Sequence, residues 1–163
     1  MCFVRHGKAE EKKPGQSDEE RRLTEEGRRD VELVAKVLPV QSGVRIYTSP
    51  LKRALETAEI IARIKGGEVK VYEGLRPEVA SIDTVSDVDI EGDTVFVGHA
   101  PSIERIVSEV IGGGVIKLKA GAAACVDIGS SSRLGKGVGV LFALIAPSIL
   151  REALHRREEA PQR

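Results

Sequence analysis

Arg5, His6 and Gly7 close the apolar run Cys2-Phe3-Val4, and His6 is one of three histidines in the chain. An imidazole beside a guanidinium at the end of a buried strand admits three readings: a packed core histidine, a metal ligand, or a nucleophile. The third is open because an imidazole with a pKa of about 6.5 is largely neutral, and so nucleophilic, near pH 7. Two further segments carry matching chemistry. Thr48-Ser49-Pro50 is followed by Arg53, and Gly98-His99-Ala100-Pro101 follows the apolar run Thr94-Val95-Phe96-Val97. Arginine forks offer paired, permanently charged donors to phosphate oxygens. Helices opening at Pro50 and Pro101 would add backbone N–H groups and the positive end of a helix dipole. Two arginines, two histidines and two helix N-termini therefore suit a phosphoryl group. Metal binding fits less well, since the arginines repel a cation and no carboxylate adjoins either histidine. Each segment alone has a plainer use, as a core histidine, a surface arginine or a strand-to-helix turn. His155, among charged residues near the C-terminus, reads as a surface residue.

The elements that must position these groups alternate in type. Cys2-Phe3-Val4 reads as a short buried strand. Thr24 is placed to cap a helix, with Glu25 and Glu26 in its first turn and Val31, Val34, Ala35 and Leu38 on one face until Pro39. Val44–Ser49 reads as a strand, then Ser49 and Pro50 as the cap and first residue of a second helix that stops at Gly66-Gly67. Glu68–Leu75 and Asp93–His99 read as strands. Pro101 opens another helix, with Ile103, Ile106, Val107 and Val110 in register, ended by Gly112–Gly114. Val115–Gly121, Ala123–Gly129 and Val138–Ile145 read as later strands, the last two joined by a Gly-rich hairpin over residues 129–139. A helical, polar tail occupies 146–163. Alternating strands and helices predict a three-layer αβα sandwich with a mostly parallel central sheet, in which ligands gather beyond the carboxyl ends of the strands. All three motifs fall at such ends. Strand alternation would send Arg5 and His6 to opposite faces, so the strand must end there, with Gly7 giving the turn its freedom.

At 163 residues the chain reads as one domain, 1–163, long enough to bury about 70% of its unfolded surface. Lysine plus arginine and aspartate plus glutamate are each 25, giving a net charge of zero. That balance argues against nucleic-acid or membrane-surface partners, which call for a one-sided basic excess. With no apolar run of about 18 residues and strand-like residues from position 2, neither a membrane span nor a signal peptide is expected. The two cysteines, Cys2 and Cys125, match no metal motif. The expectation is a cytoplasmic protein with free thiols.

Together, "RHG" near the first residue, "SPLKRALETA" and "GHAPSI" resemble the histidine phosphatase superfamily in order, spacing and strand context across residues 2–111. The stretch "DEERRLTEEG" is similar to that of the SixA-type phosphohistidine phosphatases. The resemblance implies a phosphoglycerate-mutase-like fold and a phosphatase that needs no metal or other cofactor. It implies His6 as nucleophile, with Arg5, Arg53 and His99 as the other catalytic residues, binding the phosphoryl oxygens. Gly7, Asp18, Arg21 and Ala100 would bind phosphate or substrate. Many members carry an acidic proton donor in a Leu-x-Glu motif. Here Pro77 of "GLRPE" stands at that place, leaving Glu78, or Glu10, as the possible donor. The implied substrate is a phosphohistidine borne by a protein, with inorganic phosphate as product. A small phosphate ester on the same scaffold is the alternative, and a non-catalytic phospho-binding module a more remote one.

Overall fold

Side chains alternate between the two faces of each strand, and the direction of each decides which layer it joins. The computed structural model describes residues 1–90, 92–131 and 133–159. Six strands, β1 (Cys2–Arg5), β2 (Arg45–Thr48), β3 (Glu68–Val71), β4 (Thr94–Gly98), β5 (Ala123–Asp127) and β6 (Val140–Ile145), form one sheet in the order β3-β2-β4-β1-β5-β6. The first four run parallel, and β5 and β6 are added antiparallel. Cys2, Val4, Ile46, Val95 and Val97 face one layer, made by α1 (Glu25–Val37) and α2 (Lys52–Lys65). Phe3 and Phe96 face the other, where α3 (Ile82–Ser86) and α4 (Ser102–Val110) lie, with ring centroids 5.3 Å apart. This is the mixed α/β three-layer arrangement, with each face of the central strands closed by helices.

The layer switch matters for the site. α1 and α2, which follow β1 and β2, cover one face, whereas α4, which follows β4, covers the other. β4 lies between β1 and β2. The chain therefore leaves neighbouring strands in opposite directions and opens a crevice at their carboxyl ends.

Several elements differ from the sequence reading. α2 begins at Lys52 with Leu51 as its cap residue, not at Pro50. The Ser49 hydroxyl that would cap an earlier start is engaged by His99, 2.8 Å away. The expected strand over residues 115–121 is irregular chain. A strand needs a neighbour, and β1 is already flanked by β4 and β5. The strand from Glu68 ends at Val71, and Glu73–Leu75 form a 3-10 turn. The short α3 has no counterpart in the sequence reading, although Ser81 and Thr84 cap it reciprocally. The hairpin between β5 and β6 forms, with Ser132 outside the described residues.

Cys2 and Cys125 are not free thiols. They are directly opposite in the β1–β5 ladder and form a disulfide. A separation of 123 residues hides this proximity from the sequence. The polar tail is α5 (Pro147–Glu159), with residues 160–163 outside the described ones. It docks on α1, where Leu150 packs against the core and Arg151 pairs with buried Asp30. Among the described residues no helix is long and apolar enough to cross a membrane.

Candidate active site

The register of the parallel strands sets the site. Arg5 lies opposite Gly98, and Thr48 opposite Val97. His6 and His99 therefore leave the sheet side by side, with Ser49 level with Gly98, one residue before His99. The rings of His6 and His99 have centroids 5.0 Å apart. Arg53, in the first turn of α2 and only 6% exposed, reaches His6, its Nε 3.3 Å from the imidazole Nε2.

These partners fix the state of His6. Its Nδ1 lies 2.7 Å from the Gly7 carbonyl, which can only accept, so Nδ1 carries the proton. Arg53 can only donate, so Nε2 presents a lone pair. Burial pushes the His6 pKa down to about 4, opposed by the Gly7 carbonyl and reinforced by Arg53, Arg5 and Arg21. His99 is pushed down to about 3, first by burial and then by His6 and Arg53. Both imidazoles are neutral at pH 7.

Gly7 has a role other than the expected one. Its φ is not positive, so the turn does not require a glycine's backbone freedom. What it supplies is room: a Cβ there would lie 2.8 Å from Val31 Cγ2 and 3.0 Å from the Gly27 carbonyl of α1. The His6–Gly7 turn rests directly on that helix.

Above the site runs the loop between β1 and α1, closed at its base by the Ala9–Leu23 bridge and by Thr24 N–H donating to the Lys8 carbonyl. At its tip Asp18 accepts from Arg53 Nη2 at 2.9 Å through one oxygen and from Arg21 Nη1 at 2.9 Å through the other. Arg53 Nη1 also donates to the Asp18 carbonyl. The two guanidiniums hold the Asp18 carboxyl below the usual carboxylate range, the Arg21 bond most of all. Arg21 Nε donates to the Glu10 backbone carbonyl, which ties it to the loop's base.

Arg5, near enough to both histidines to lower their pKa values, has a separate anchor. Its Nη1 donates to the Leu118 carbonyl at 2.8 Å, and its Nε is buried without a partner. With Ala100, Pro101 and Lys117 it lines a cavity of about 360 Å³. Glu78 is exposed and faces Arg76 at 3.8 Å, while the same guanidinium binds Glu19 beside Asp18. Among the described residues no cluster of three or more histidine, cysteine or carboxylate groups is placed to hold a metal ion.

The sequence reading missed three groups that build this site. The Thr57 hydroxyl accepts from Gly7 N–H and donates to the Arg53 carbonyl, joining the His6–Gly7 turn to the helix that carries Arg53. Its position four residues after Arg53, where a hydroxyl can reach the i−4 carbonyl, was the available signal. Glu104, buried in α4, accepts from Leu118 N–H at 2.8 Å and so steadies the carbonyl that holds Arg5. Ser49, by sequence only a helix cap, bonds His99.

The profile of the histidine phosphatase superfamily (branch 1) matches residues 1–80, which include His6 and Arg53. An uncharacterized protein of Picosynechococcus sp. is 32% identical over 143 residues, covering 76% of this chain and 86% of that one. The chain belongs to the histidine phosphatase superfamily. It is a hydrolase of the phosphatase kind that uses a histidine. Among solved structures, the protein histidine phosphatase SixA complexed with tungstate superposes with a TM-score of 0.74 at 22% identity, covering 91% of this chain and 97% of that one. A phosphoserine phosphatase of Entamoeba histolytica in complex with phosphoserine gives 0.61 at 19% identity, covering 90% and 96%. These likenesses establish the fold that superfamily members share.

Proposed function

We propose that the protein is a metal-independent phosphatase that dephosphorylates phosphohistidine in proteins, with His6 as nucleophile. The observation that carries this reading is the fixed state of His6: proton on Nδ1, lone pair on Nε2, neutral at pH 7. Nε2 attacks phosphorus while the N–P bond of the substrate breaks. A substrate imidazole protonated on its other nitrogen then departs as a neutral ring. Arg5, Arg53 and His99 stabilise the charge on the phosphoryl oxygens in the transition state. Asp18 and Arg21 sit where the loop would meet the substrate, and Ala100 lines the adjoining cavity with Arg5. In the second step water attacks the phosphorylated His6, its proton passes to solvent, and inorganic phosphate leaves. The Gly7 carbonyl keeps the proton on Nδ1, so His6 also departs as a neutral imidazole.

The substrate class follows from the leaving group. An imidazole, with a pKa of about 6.5, departs without a strong acid. An alkoxide, whose parent alcohol has a pKa near that of water at about 16, requires a proton donor. Pro77 stands at the expected donor's place, and Glu78 lies exposed. The alternative, a small-molecule phosphomonoesterase, depends on Glu78 turning inward from Arg76 to protonate an alcohol.

The deciding experiment compares a phosphohistidine peptide with a panel of sugar phosphates, without added metal, using wild type and His6→Ala. Hydrolysis of the peptide by wild type alone supports the proposal. Efficient turnover of sugar phosphates, lost in Glu78→Gln, would establish the alternative.

A further inference from the structure

Of the buried polar groups, His99 poses the sharpest question. The residue is 3% exposed and its Nδ1 has no partner, while its Nε2 lies 2.8 Å from the Ser49 hydroxyl. Ser49 is itself fully buried, and its oxygen also accepts the N–H of Leu51 at 3.4 Å.

Two proton arrangements are open. If His99 carried its proton on Nε2, both neighbours would donate to the Ser49 oxygen. The serine's own proton would then be left without an acceptor, and His99 Nδ1 would be a bare lone pair sealed from water. That leaves two buried groups unsatisfied. If Ser49 instead donates to Nε2, its oxygen still accepts from Leu51, and its one proton has an acceptor. Only the His99 Nδ1–H is then left over, and it is a donor in a site built for an anion. Buried polar groups in native proteins find partners, so the second arrangement is favoured. It also turns the remaining orphan into a function.

We propose that Ser49 is a positioning residue that holds His99 as the neutral Nδ1–H tautomer, ready to donate to a phosphoryl oxygen. The assignment rests on reading His99 as a phosphoryl donor. The neutral state is reinforced by the burial and the arginines that push the His99 pKa down to about 3. His6 carries the same tautomer for the opposite purpose, since its Nε2 lone pair is the attacking atom. Two backbone-fixed acceptor and donor groups, the Gly7 carbonyl and the Ser49 hydroxyl, thus assign two adjacent histidines different roles.

The test is a long-range proton–nitrogen correlation spectrum of the full chain labelled with ¹⁵N-histidine, with His99 assigned by its loss in His99→Gln. At neutral pH the expected result is a protonated, pyrrole-type Nδ1 and an unprotonated Nε2. A protonated Nε2 in wild type would overturn the proposal. Ser49→Ala should shift the ring towards the other tautomer and lower kcat on a phosphohistidine peptide about 10–100-fold with a smaller change in KM. Ser49→Thr, which keeps the hydroxyl, should retain the wild-type spectrum. An unchanged tautomer in a folded Ser49→Ala would also overturn it. If Ser49→Ala does not fold, the wild-type spectrum alone decides. Absence of any phosphatase activity beside a protonated Nδ1 would defeat the functional reading while leaving the tautomer assignment standing.

Discussion

At the residue level the proposed chemistry turns on keeping His6 neutral while surrounding it with cations. An imidazolium has no lone pair to offer, and burial places its formation near pH 4. The acid limb of kcat/KM should therefore fall near 4, well below the 6.5 of a free histidine. A limb at 6.5 would mean that His6 is solvated in the working enzyme. His6→Ala should abolish turnover and keep the fold, since the side chain lies beyond the strand end. The phosphoenzyme trapped from wild type should be acid-labile and alkali-stable. Arg53 is a fork whose Nε meets His6 while its Nη atoms meet Asp18. Arg53→Lys keeps the charge but not the fork, and kcat should fall by about 10²–10³-fold, as for loss of a transition-state donor. Wild-type kcat in that variant would show that charge alone suffices.

At the level of elements, the close seating of the His6–Gly7 turn on α1 has a measurable consequence. Replacing a helical glycine by alanine ordinarily stabilises by about 1 kcal/mol. At Gly27 a Cβ would lie 2.2 Å from the Lys8 carbonyl, a backbone atom that cannot swing aside. Gly27→Ala should instead destabilise by about 1–3 kcal/mol in urea unfolding. It should also slow turnover, because the displaced peptide follows His6 and Gly7. A neutral or stabilising result would show that α1 can slide away from the turn. The β1–α1 loop is held from below in a similar way. Glu56 of α2 accepts from Leu23 N–H and pairs with Arg28, so the helix that carries Arg53 also anchors the loop that carries Asp18.

For the whole molecule, the depressed histidines link stability to pH. Each folded-state pKa lies below the unfolded value of 6.5, at about 4 for His6 and about 3 for His99. The unfolded chain therefore binds more protons between those values and 6.5. The stability present above pH 6.5 should be lost progressively as the pH falls through the folded values, by an amount on the order of a few kcal/mol. His6→Ala should show a shallower loss of Tm between pH 6.5 and 4. An equal loss in both proteins would place the acid sensitivity elsewhere. The disulfide is the other global constraint. Closing a loop across 123 residues, it should contribute about 3–5 kcal/mol by restricting the unfolded chain. Thiol titration in denaturant should find no free cysteine before reduction and two after it. Two free thiols in the unreduced protein would restore the reading of two reduced cysteines.

The motifs were legible because their chemistry is local. Arg-His-Gly, the Arg53 helix and Gly-His-Ala-Pro each follow an apolar strand, and strand ends at one side of a parallel sheet must meet. The Thr24 cap and the apolar faces of α1, α2 and α4 were legible for the same reason, since capping and helical period involve residues within a few positions. What tertiary structure decided depends on distant partners. The β1–β5 register brings Cys2 to Cys125, and the lack of a free neighbour beside β1 leaves residues 115–121 irregular. The need for glycine at position 7 comes from the approach of α1, not from a φ angle. Ser49, a cap in the sequence, becomes a partner of His99 because a residue fifty positions away arrives at 2.8 Å. Residue type and spacing specify which groups can do chemistry. Their protonation and orientation are set by burial and by hydrogen-bond partners that only the folded chain supplies.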